Sequence, residues 1–217
     1  MSQDRDSTIR GGSSINQSLD GGREGRMSKL KKHEWYVRGV ELATAQRLVK
    51  ALHYAKGGSN TAVYVHGLFK VGDLFDAQCV GVAWWLPPTR SAAEATYPEN
   101  WKGVLSLSRL VIDPSVPSNA CTFLLARSRA LIDHVTWPCL VTYADQWQHH
   151  TGNIYRADNW TYIGLTKPQR CYQIEGVMVS RKAGPKTRTH AQMLALGAQL
   201  VGTFAKHKFV KLAARRA

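Results

Sequence analysis

Four short stretches of this 217-residue chain carry the side chains best suited to chemistry, and each stands near the end of a predicted helix or strand. One of them, residues 140–145, is an apolar run that closes with the carboxylate of Asp145. Carboxylates just beyond the carboxyl end of a buried strand are often functional. Asp145 is therefore a candidate base or metal ligand, with capping of the following turn as the structural alternative.

The second stretch is predicted to join a strand to a helix. The strand, residues 105–113, carries Ser108 and Arg109, which alternation along a strand would turn toward opposite faces. Ser118 is predicted to cap the helix, whose first turn contains no acidic side chain. The free N–H groups of residues 119–121 would suit a phosphate, although a plain helix cap accounts for the same residues.

Imidazole and phenol groups occupy the other two stretches. His53 and Tyr54 end the first predicted helix beside a Gly-rich loop. There they can transfer protons or bind a metal ion, or His53 can simply interact with the helix dipole. His149 and His150 precede a short helix that carries Tyr155. Adjacent histidines on a helix diverge, so that pair is not expected to hold a metal ion.

The elements that must position these groups alternate between helices and strands. The predicted helices cover residues 41–56, 118–133, 150–158 and 194–212. The predicted strands cover residues 62–71, 77–86, 105–113, 139–144, 160–165 and 172–180, and residues 89–102 are predicted to form a polar loop. Strands that alternate with helices indicate a sheet domain of the α/β or α+β class.

Positive charge is concentrated toward the C-terminal end. The chain has 29 Lys and Arg against 15 Asp and Glu, a net charge of +14. Residues 1–32 carry net +3, residues 33–175 net +2, and residues 176–217 net +9 without any acidic residue. We predict a disordered Gly- and Ser-rich leader over 1–32, a catalytic domain over 33–180, and a partly helical basic extension over 181–217 that contacts nucleic acid.

Several functional classes are disfavoured. The four cysteines are widely spaced and form no CxxC pair, which favours free thiols in a reducing compartment. No apolar run is long enough for a membrane-spanning helix. The glycine-rich dinucleotide and phosphate loops and the GxSxG elbow are missing. The only double proline lacks the flanking residues of an adenine aminomethyltransferase, which disfavours S-adenosylmethionine-dependent base methylation.

Residues 150–164, together with the order of strands and helices, resemble the second half of a Gcn5-related N-acyltransferase. The similarity is greater to the Mom family of bacteriophage DNA-modification proteins. The matching pieces are His53 with Tyr54, and residues 107–113, 143–145, 150–155 and 159–160. The resemblance covers about residues 33–175 and implies an α+β fold in which helices flank a mixed central sheet.

The resemblance implies an enzyme that converts adenine N6 in DNA to a carbamoylmethyl derivative, so that phage DNA escapes host restriction enzymes. The expected location is the cytoplasm of the infected bacterial host. One departure concerns the donor. Ordinary acyltransferases carry an Arg/Gln-x-x-Gly-x-Gly/Ala pyrophosphate loop, whereas residues 114–118 contain no glycine. Acetyl-coenzyme A is therefore not expected to bind in the usual way.

Atom counting indicates a different donor. Acetyl transfer gives N–CO–CH3, which lacks the nitrogen of N–CH2–CO–NH2. A glycyl group, N–CO–CH2–NH2, is an isomer of the required product. We therefore favour a glycine-derived donor such as glycyl-tRNA, with rearrangement, over acetyl-coenzyme A, and leave open a metal ion such as iron. The expected partners are double-stranded DNA with a flipped adenine, and tRNA as donor.

The resemblance also suggests roles for the candidates. Asp145 would hold or deprotonate the N6 amino group, and Tyr155 would protonate the leaving group. Arg109 would orient Asp145 or bind a donor phosphate, and Ser108 would help to hold the donor. His53 and Tyr54 would transfer protons or bind a metal ion.

The remaining candidates are binding residues. Expected donor contacts are Ser118, Asn119 and Asn153. Expected DNA phosphate contacts are Arg181, Lys182, Lys186, Arg188, Lys206 and Lys208. Stacking of the flipped base is assigned to Trp84, Trp85, Trp101 and Trp160, with core packing as the alternative.

Two other functions are compatible with the sequence. One is an acyltransferase that acts on a protein or a small-molecule amine, which the missing glycine loop disfavours. The other is a non-enzymatic nucleic-acid-binding module, which the nearly neutral, motif-bearing centre of the chain disfavours.

Overall fold

The structure is a computed structural model that describes residues 29–53, 59–72, 78–183 and 186–213. Tyr54 and residues 1–28 of the predicted leader lie outside the described residues. None of the helices in the described ranges combines the length and the apolar character needed to cross a membrane.

The described residues form α-helices and β-strands joined by short turns. The helices are α1 (Leu42–Leu52), α2 (Arg90–Glu94), α3 (Ala120–Ala130), α4 (Asn153–Ala157) and α5 (His190–Ala195). The strands are β1 (Trp35–Gly39), β2 (Tyr64–Lys70), β3 (Gly81–Leu86), β4 (Val104–Ile112), β5 (Cys139–Asp145), β6 (Thr161–Leu165), β7 (Gln169–Ile174), β8 (Val177–Val179), β9 (Lys182–Ala183), β10 (Lys186–Thr187), β11 (Gln199–Phe204) and β12 (Lys206–Leu212).

Seven strands form the central sheet, in the order β1-β2-β3-β4-β5-β12-β6. The sheet is mixed, because β4 and β5 are parallel whereas the other neighbours are antiparallel. Helices pack on both of its faces. This arrangement confirms the predicted α+β fold with a mixed central sheet.

Each face of the central sheet is buried by different helices. Apolar residues of α3 and α4 cover one face, where Leu105, Leu140 and Phe209 lie; we call this the α3–α4 face. On the opposite face, α1 packs its apolar stripe on β2, β3 and β4, and Ala93 of α2 packs on β4, β5 and β12. We call this the α1–α2 face.

Strands β4 and β5 pair over only part of their length. Residues 104–107 pair with residues 139–142, and the pairing ends at Leu107 and Thr142. Both strands continue beyond that point. The gap between residues 108–112 and 143–145 is called the fork below. The central sheet is therefore unpaired in its middle, next to the candidate residues Ser108, Arg109 and Asp145.

A β-bulge lies at the base of the fork. Trp85 pairs with Leu107 while Trp84 pairs with Arg109, so Ser108 is an extra residue in β4. A bulge of this kind bends the strand and redirects its side chains. Strict alternation therefore does not hold across Ser108.

The predicted helix over residues 194–212 is wrong. The segment contains the end of α5, strand β11 and strand β12, and β12 lies between β5 and β6 in the central sheet. The four-residue spacing of Leu196, Leu200 and Phe204 had suggested a helix. Residues 206–210 instead alternate between the two faces of the sheet. The boundary predicted at residue 180 therefore does not hold for β12, which completes the central sheet.

Smaller differences occur elsewhere. The sequence missed β1, and the predicted loop over 89–102 contains α2 and a 3-10 segment, Pro98–Gly103. The predicted strand over 172–180 is divided by a turn into β7 and β8. At the end of the predicted leader, Leu30 is buried and its N–H donates to Asn119 Oδ1 at 2.5 Å, so this residue packs on the domain.

Residues 166–205, between β6 and β12, form a separate unit that we call the insert lobe. It contains the sheet β11-β7-β8 and the β9–β10 pair. Tyr172, Met193 and Ala198 are buried together as its own small core. The lobe thus has an internal hydrophobic cluster distinct from those of the central sheet.

Candidate functional site at the fork

Tyr155 reaches the base of the fork from the α3–α4 face. Its hydroxyl hydrogen-bonds to Thr142, and Thr142 Oγ1 donates to the carbonyl of Leu107 at 3.4 Å. Thr142 and Leu107 are the last paired residues of β5 and β4. Burial raises the pKa of Tyr155 to about 12. The phenol therefore keeps its proton at neutral pH and can donate it.

Aromatic packing and one glycine fix the position of Tyr155. Its ring centroid lies 5.3 Å from that of Phe209 and 5.9 Å from that of Trp160. Gly152 precedes α4 with φ +77°, and a Cβ at this position would collide with the Phe209 ring. Only a residue without a side chain allows α4 to start so close to β12.

A partly buried ion pair holds the turn after α4. Arg129 Nε and Nη2 donate to the two carboxylate oxygens of Asp158 at 3.0 and 3.1 Å. The indole Nε1 of Trp160 donates to Asp158 Oδ2 at 2.9 Å. These bonds tie α3 to the turn between α4 and β6, and so support the aromatic surroundings of Tyr155.

Asp145 lies on the α1–α2 face at the end of β5. Lys206 is its cross-strand partner in β12, and Lys206 Nζ lies 2.9 Å from Asp145 Oδ2. The N–H of Trp147 donates to Asp145 Oδ1 at 3.3 Å. Asp145 is only 5% exposed. An ammonium group and a backbone N–H thus orient a carboxylate that is largely shielded from water.

Arg109 and Ser108 lie together, so the prediction that they point to opposite faces is wrong. Arg109 Nη1 donates to the carbonyl of Ser108 at 2.7 Å and to Ser108 Oγ at 3.4 Å. The bulge explains this, because it removes the alternation on which the prediction depended. Arg109 pairs with Trp84, whose side chain packs beneath α1.

His53, at the C-terminal end of α1, lies near the charged side chains of Arg109 and Lys206. Its pKa is lowered to about 4, first by burial and then by the positive charges of Arg109, His150 and Lys206. His53 is therefore neutral at pH 7 and can accept a proton. The structure brings together four of the side chains that the sequence singled out, namely His53, Ser108, Arg109 and Asp145.

Asp145 and Tyr155 approach the fork from opposite faces of the sheet. Ala144 belongs to the core of the α3–α4 face with Tyr155, whereas Tyr143 packs on the α1–α2 face. Alternation places Asp145 on the same face as Tyr143. The fork, where β4 and β5 are no longer paired, lies between the charged group and the phenol.

Comparison with known proteins now gives the family. The model of the Mom protein family matches residues 34–215. This chain belongs to the Mom family. The match includes the fork, the residues around it and the insert lobe. It confirms the resemblance found in the sequence and extends it over β12. No curated protein matches the chain.

Solved structures give the fold. The acetyltransferase described as yncA from Salmonella typhimurium, solved with acetyl-CoA, is 9% identical, covers 84% of this chain and 96% of its own, and has a TM-score of 0.50. An N-acetyltransferase from Staphylococcus aureus Mu50 is 9% identical, with coverages of 82% and 98% and a TM-score of 0.48. This Mom-family chain thus has the Gcn5-related acyltransferase fold.

The residues predicted to bind the donor do not form a usual pyrophosphate loop in this Mom-family chain. The N–H groups of Ser115 and Val116 donate to Asp113, and that of Ala120 donates to the carbonyl of Pro117. The prediction that the N–H of residue 120 is free is therefore wrong. Asn119 Oδ1 already accepts the N–H of Leu30. That acetyl-coenzyme A does not bind here in the usual way stays a prediction.

Two other residues predicted to bind the donor, Ser118 and Asn153, lie near the starts of α3 and α4. Ser118 does not cap α3, which begins at Ala120 without a side-chain cap. Asn153 is exposed and opens α4. Both residues lie on helices or loops of the α3–α4 face.

Most of the predicted stacking tryptophans are core residues. Trp84 and Trp85 are 0% exposed, and Trp160 is buried. The stacking role is therefore wrong for these three. Trp101 is partly exposed, with the Arg90 guanidinium 5.0 Å and the Lys102 ammonium 5.7 Å from its ring centroid.

The predicted DNA contacts fall into two groups. Lys206 and Lys208 belong to β12; Lys206 faces Asp145, and Lys208 Nζ donates to the carbonyl of Ala95 at 3.3 Å. The others lie in the insert lobe. There Arg181 Nε donates to the carbonyl of Arg188 at 3.0 Å, while Lys182 and Lys186 are exposed.

The sequence missed the place of Lys206 and Thr142 in the site. The alternation of Lys206, Lys208 and Val210 with His207 and Phe209 was the available signal for a strand next to β5. Within the described ranges, no three His, Cys, Asp or Glu side chains are grouped so as to hold a metal ion.

Proposed function

We propose that this Mom-family protein converts the N6 amino group of adenine in double-stranded DNA to its carbamoylmethyl derivative, and that the product protects the DNA from restriction enzymes. Family and fold support a transferase. The observation that carries the proposal is the fork, with a charged group on its α1–α2 face and a protonated phenol on its α3–α4 face.

The α1–α2 face suits the acceptor base. The N6 lone pair of adenine is delocalised into the ring, so N6 must be held and must lose a proton as the new bond forms. Asp145, fixed by Lys206, can accept a hydrogen bond from the N6 amino group. His53 is unprotonated at neutral pH, so its ring can accept the proton, even though burial and the charge of Arg109 weaken it as a base.

The α3–α4 face suits the donor. Tyr155 retains its proton at the base of the fork and can pass it to the leaving group. The new bond joins N6 to a donor carbon, and the bond from that carbon to the leaving group breaks. With glycyl-tRNA as donor, N6 bonds to the glycyl carbonyl carbon while the ester bond to the tRNA oxygen breaks and that oxygen takes the proton. Rearrangement of N6–CO–CH2–NH2 to its isomer N6–CH2–CO–NH2 then breaks the N6–CO and CH2–NH2 bonds and forms the N6–CH2 and CO–NH2 bonds, so no atom is gained or lost. Acetyl-coenzyme A lacks the second nitrogen.

The adenine must leave the helix to reach the fork. The reaction atoms lie within the sheet, which a base stacked inside a duplex cannot enter. Extracting a base costs a few kcal/mol, which contacts to the DNA backbone must offset. The basic character of the chain, net +14, supports such contacts.

Mass spectrometry of nucleosides from cells that express the protein tests the proposal directly. We expect a carbamoylmethylated adenine nucleoside in the DNA, and resistance of that DNA to restriction enzymes. Isotopically labelled glycine should label the modified base. Unmodified adenine would overturn the proposed reaction, and labelling from acetate alone would overturn the proposed donor.

A further inference from the structure

The insert lobe occupies a place where a tight turn would suffice. Strands β6 and β12 are antiparallel neighbours, and Leu165 pairs with His207. Two to five residues commonly close such a pair. Here residues 166–205 intervene and build a sheet, a helix and a small core. The connection itself does not require this structure, so the lobe is expected to have a role of its own.

The surface of the lobe is strongly basic. Its six Lys and Arg residues stand against one acidic residue, Glu175, which gives net +5 over residues 166–205. Four of the cations are exposed, namely Lys167, Arg170, Lys182 and Lys186. Within the part of the chain that the structure describes, none of these four forms a salt bridge. Their charges are therefore available to a polyanion.

The lobe is attached beside the acceptor side of the fork. The N–H of Lys206 donates to Thr166 Oγ1 at 3.0 Å, and the N–H of Ala205 donates to Gln146 Oε1 at 3.2 Å. Cys171 of β7 lies close enough to Asp145 and Lys206 for their charges to shift its pKa. Lys167 and Arg170, which are next to Thr166 and Cys171 along the chain, therefore lie near Asp145, which is on the opposite face of the sheet from Tyr155.

From this placement we propose that the insert lobe binds the backbone phosphates of the acceptor DNA duplex, and that it does not bind the tRNA of the donor. The identity of the acceptor rests on the proposed function. Lys and Arg contacts to phosphates give affinity and orientation without reading the base sequence. The lobe would thus hold the duplex while one adenine enters the fork from the α1–α2 face.

Two matched double variants of the full chain test this assignment. Lys167→Gln with Arg170→Gln removes two exposed charges from the part of the lobe that lies near Asp145. Lys29→Gln with Lys32→Gln removes two exposed charges beside Leu30, which is bonded to Asn119 next to α3. All four side chains are exposed, so circular dichroism should show that both variants fold as the original chain does.

Binding is measured by fluorescence anisotropy with a labelled duplex and with deacylated tRNA at several salt concentrations. We expect the lobe variant to bind the duplex more weakly, with the slope of log K against log salt reduced by about 0.9 for each phosphate that the variant no longer neutralises. Its affinity for tRNA should equal that of the original chain. The control variant should keep the original slope for the duplex.

Three results would overturn the assignment: an unchanged duplex slope in the lobe variant, an equal weakening in both variants, or weaker tRNA binding in the lobe variant. Nucleoside mass spectrometry tests the proposed adenine modification independently of the proposed phosphate binding by the lobe. If the lobe variant behaves as expected but the original chain leaves adenine unmodified, the reaction is wrong and the phosphate-binding role of the lobe stands.

Discussion

The two faces of the central sheet offer different environments to the same fork. On the α1–α2 face, charged and titratable side chains lie together, namely His53, Arg109, Asp145 and Lys206. On the α3–α4 face, Tyr155 is enclosed by the aromatic rings of its neighbours. The contrast teaches how one opening can both accept and supply protons. Burial, and after it the neighbouring positive charges, lower the pKa of the His53 imidazole on one face, and burial raises the pKa of the Tyr155 phenol on the other.

Removing the charge of Asp145 should have the largest effect. Asp145→Asn keeps the shape of the side chain but loses the carboxylate that faces Lys206. We expect modified adenine in cellular DNA to fall by about 10²- to 10⁴-fold, as is common when an acid–base group is lost. Duplex binding, measured by anisotropy, should survive. Asp133→Asn, in an exposed turn, is the control and should retain full modification.

Removing the phenol of Tyr155 tests the other face. Tyr155→Phe keeps the packing on Phe209 and Trp160, and we expect the modification rate to fall by about 10²-fold. Because the pKa of Tyr155 is raised from 10 to about 12, the original chain should not lose rate through this group as the pH rises to 10. Tyr162→Phe removes an exposed hydroxyl bonded to His207 and should change little. Equal rates for Tyr155→Phe and the original chain would remove Tyr155 from the site.

The support beneath the aromatic face can be weakened without touching the fork. Arg129→Met leaves the carboxylate of Asp158 without its bidentate partner. We expect the free energy of unfolding, measured in urea, to fall by about 2 kcal/mol, less than for a fully buried pair because Arg129 is 25% exposed. Arg90→Met breaks an exposed pair with Glu94 and should cost about 0–1 kcal/mol. A larger loss for Arg90→Met would contradict this ranking.

The smallest expected effect is on the pKa of His53, on the α1–α2 face. Among the neighbouring charges, that of Arg109 lowers the pKa of His53 the most, and Arg109→Gln removes it. We expect that pKa, followed by NMR titration, to rise from about 4 toward 6.5. Burial alone should keep it below 6.5. A pKa that stays at its original value in the variant would show that Arg109 does not act on His53.

Much of the framework could be predicted because its sequence signals are local. The apolar spacing of residues 42–52 and the apolar strands near residues 65, 83, 107 and 141 gave α1 and β2 to β5 closely. Asp145 was singled out because functional side chains often lie where buried strands end, and Arg109 because it precedes the turn from a strand to a helix. Their neighbourhood in space follows from the parallel pairing of β4 with β5.

The rest depends on contacts between distant parts of the chain. The sequence around Ser108 does not predict a bulge, because the bulge arises from the pairing of β4 with β3. Nothing near residue 206 shows that β12 will lie between β5 and β6. The burial of Trp84 and Trp85 likewise depends on helices that pack on both faces. Tertiary packing decides such features, and short-range periodicity does not.

The position of β12 has a consequence for synthesis. It is translated after the other strands of the central sheet, yet it lies between two of them. On the ribosome, β5 and β6 must expose unpaired backbone edges until β12 emerges. Until β12 is made, the nascent chain also lacks the ammonium group of Lys206 opposite Asp145, so the charged half of the fork is assembled only after β12 has been translated. Prematurely terminated chains should therefore be inactive and prone to aggregate.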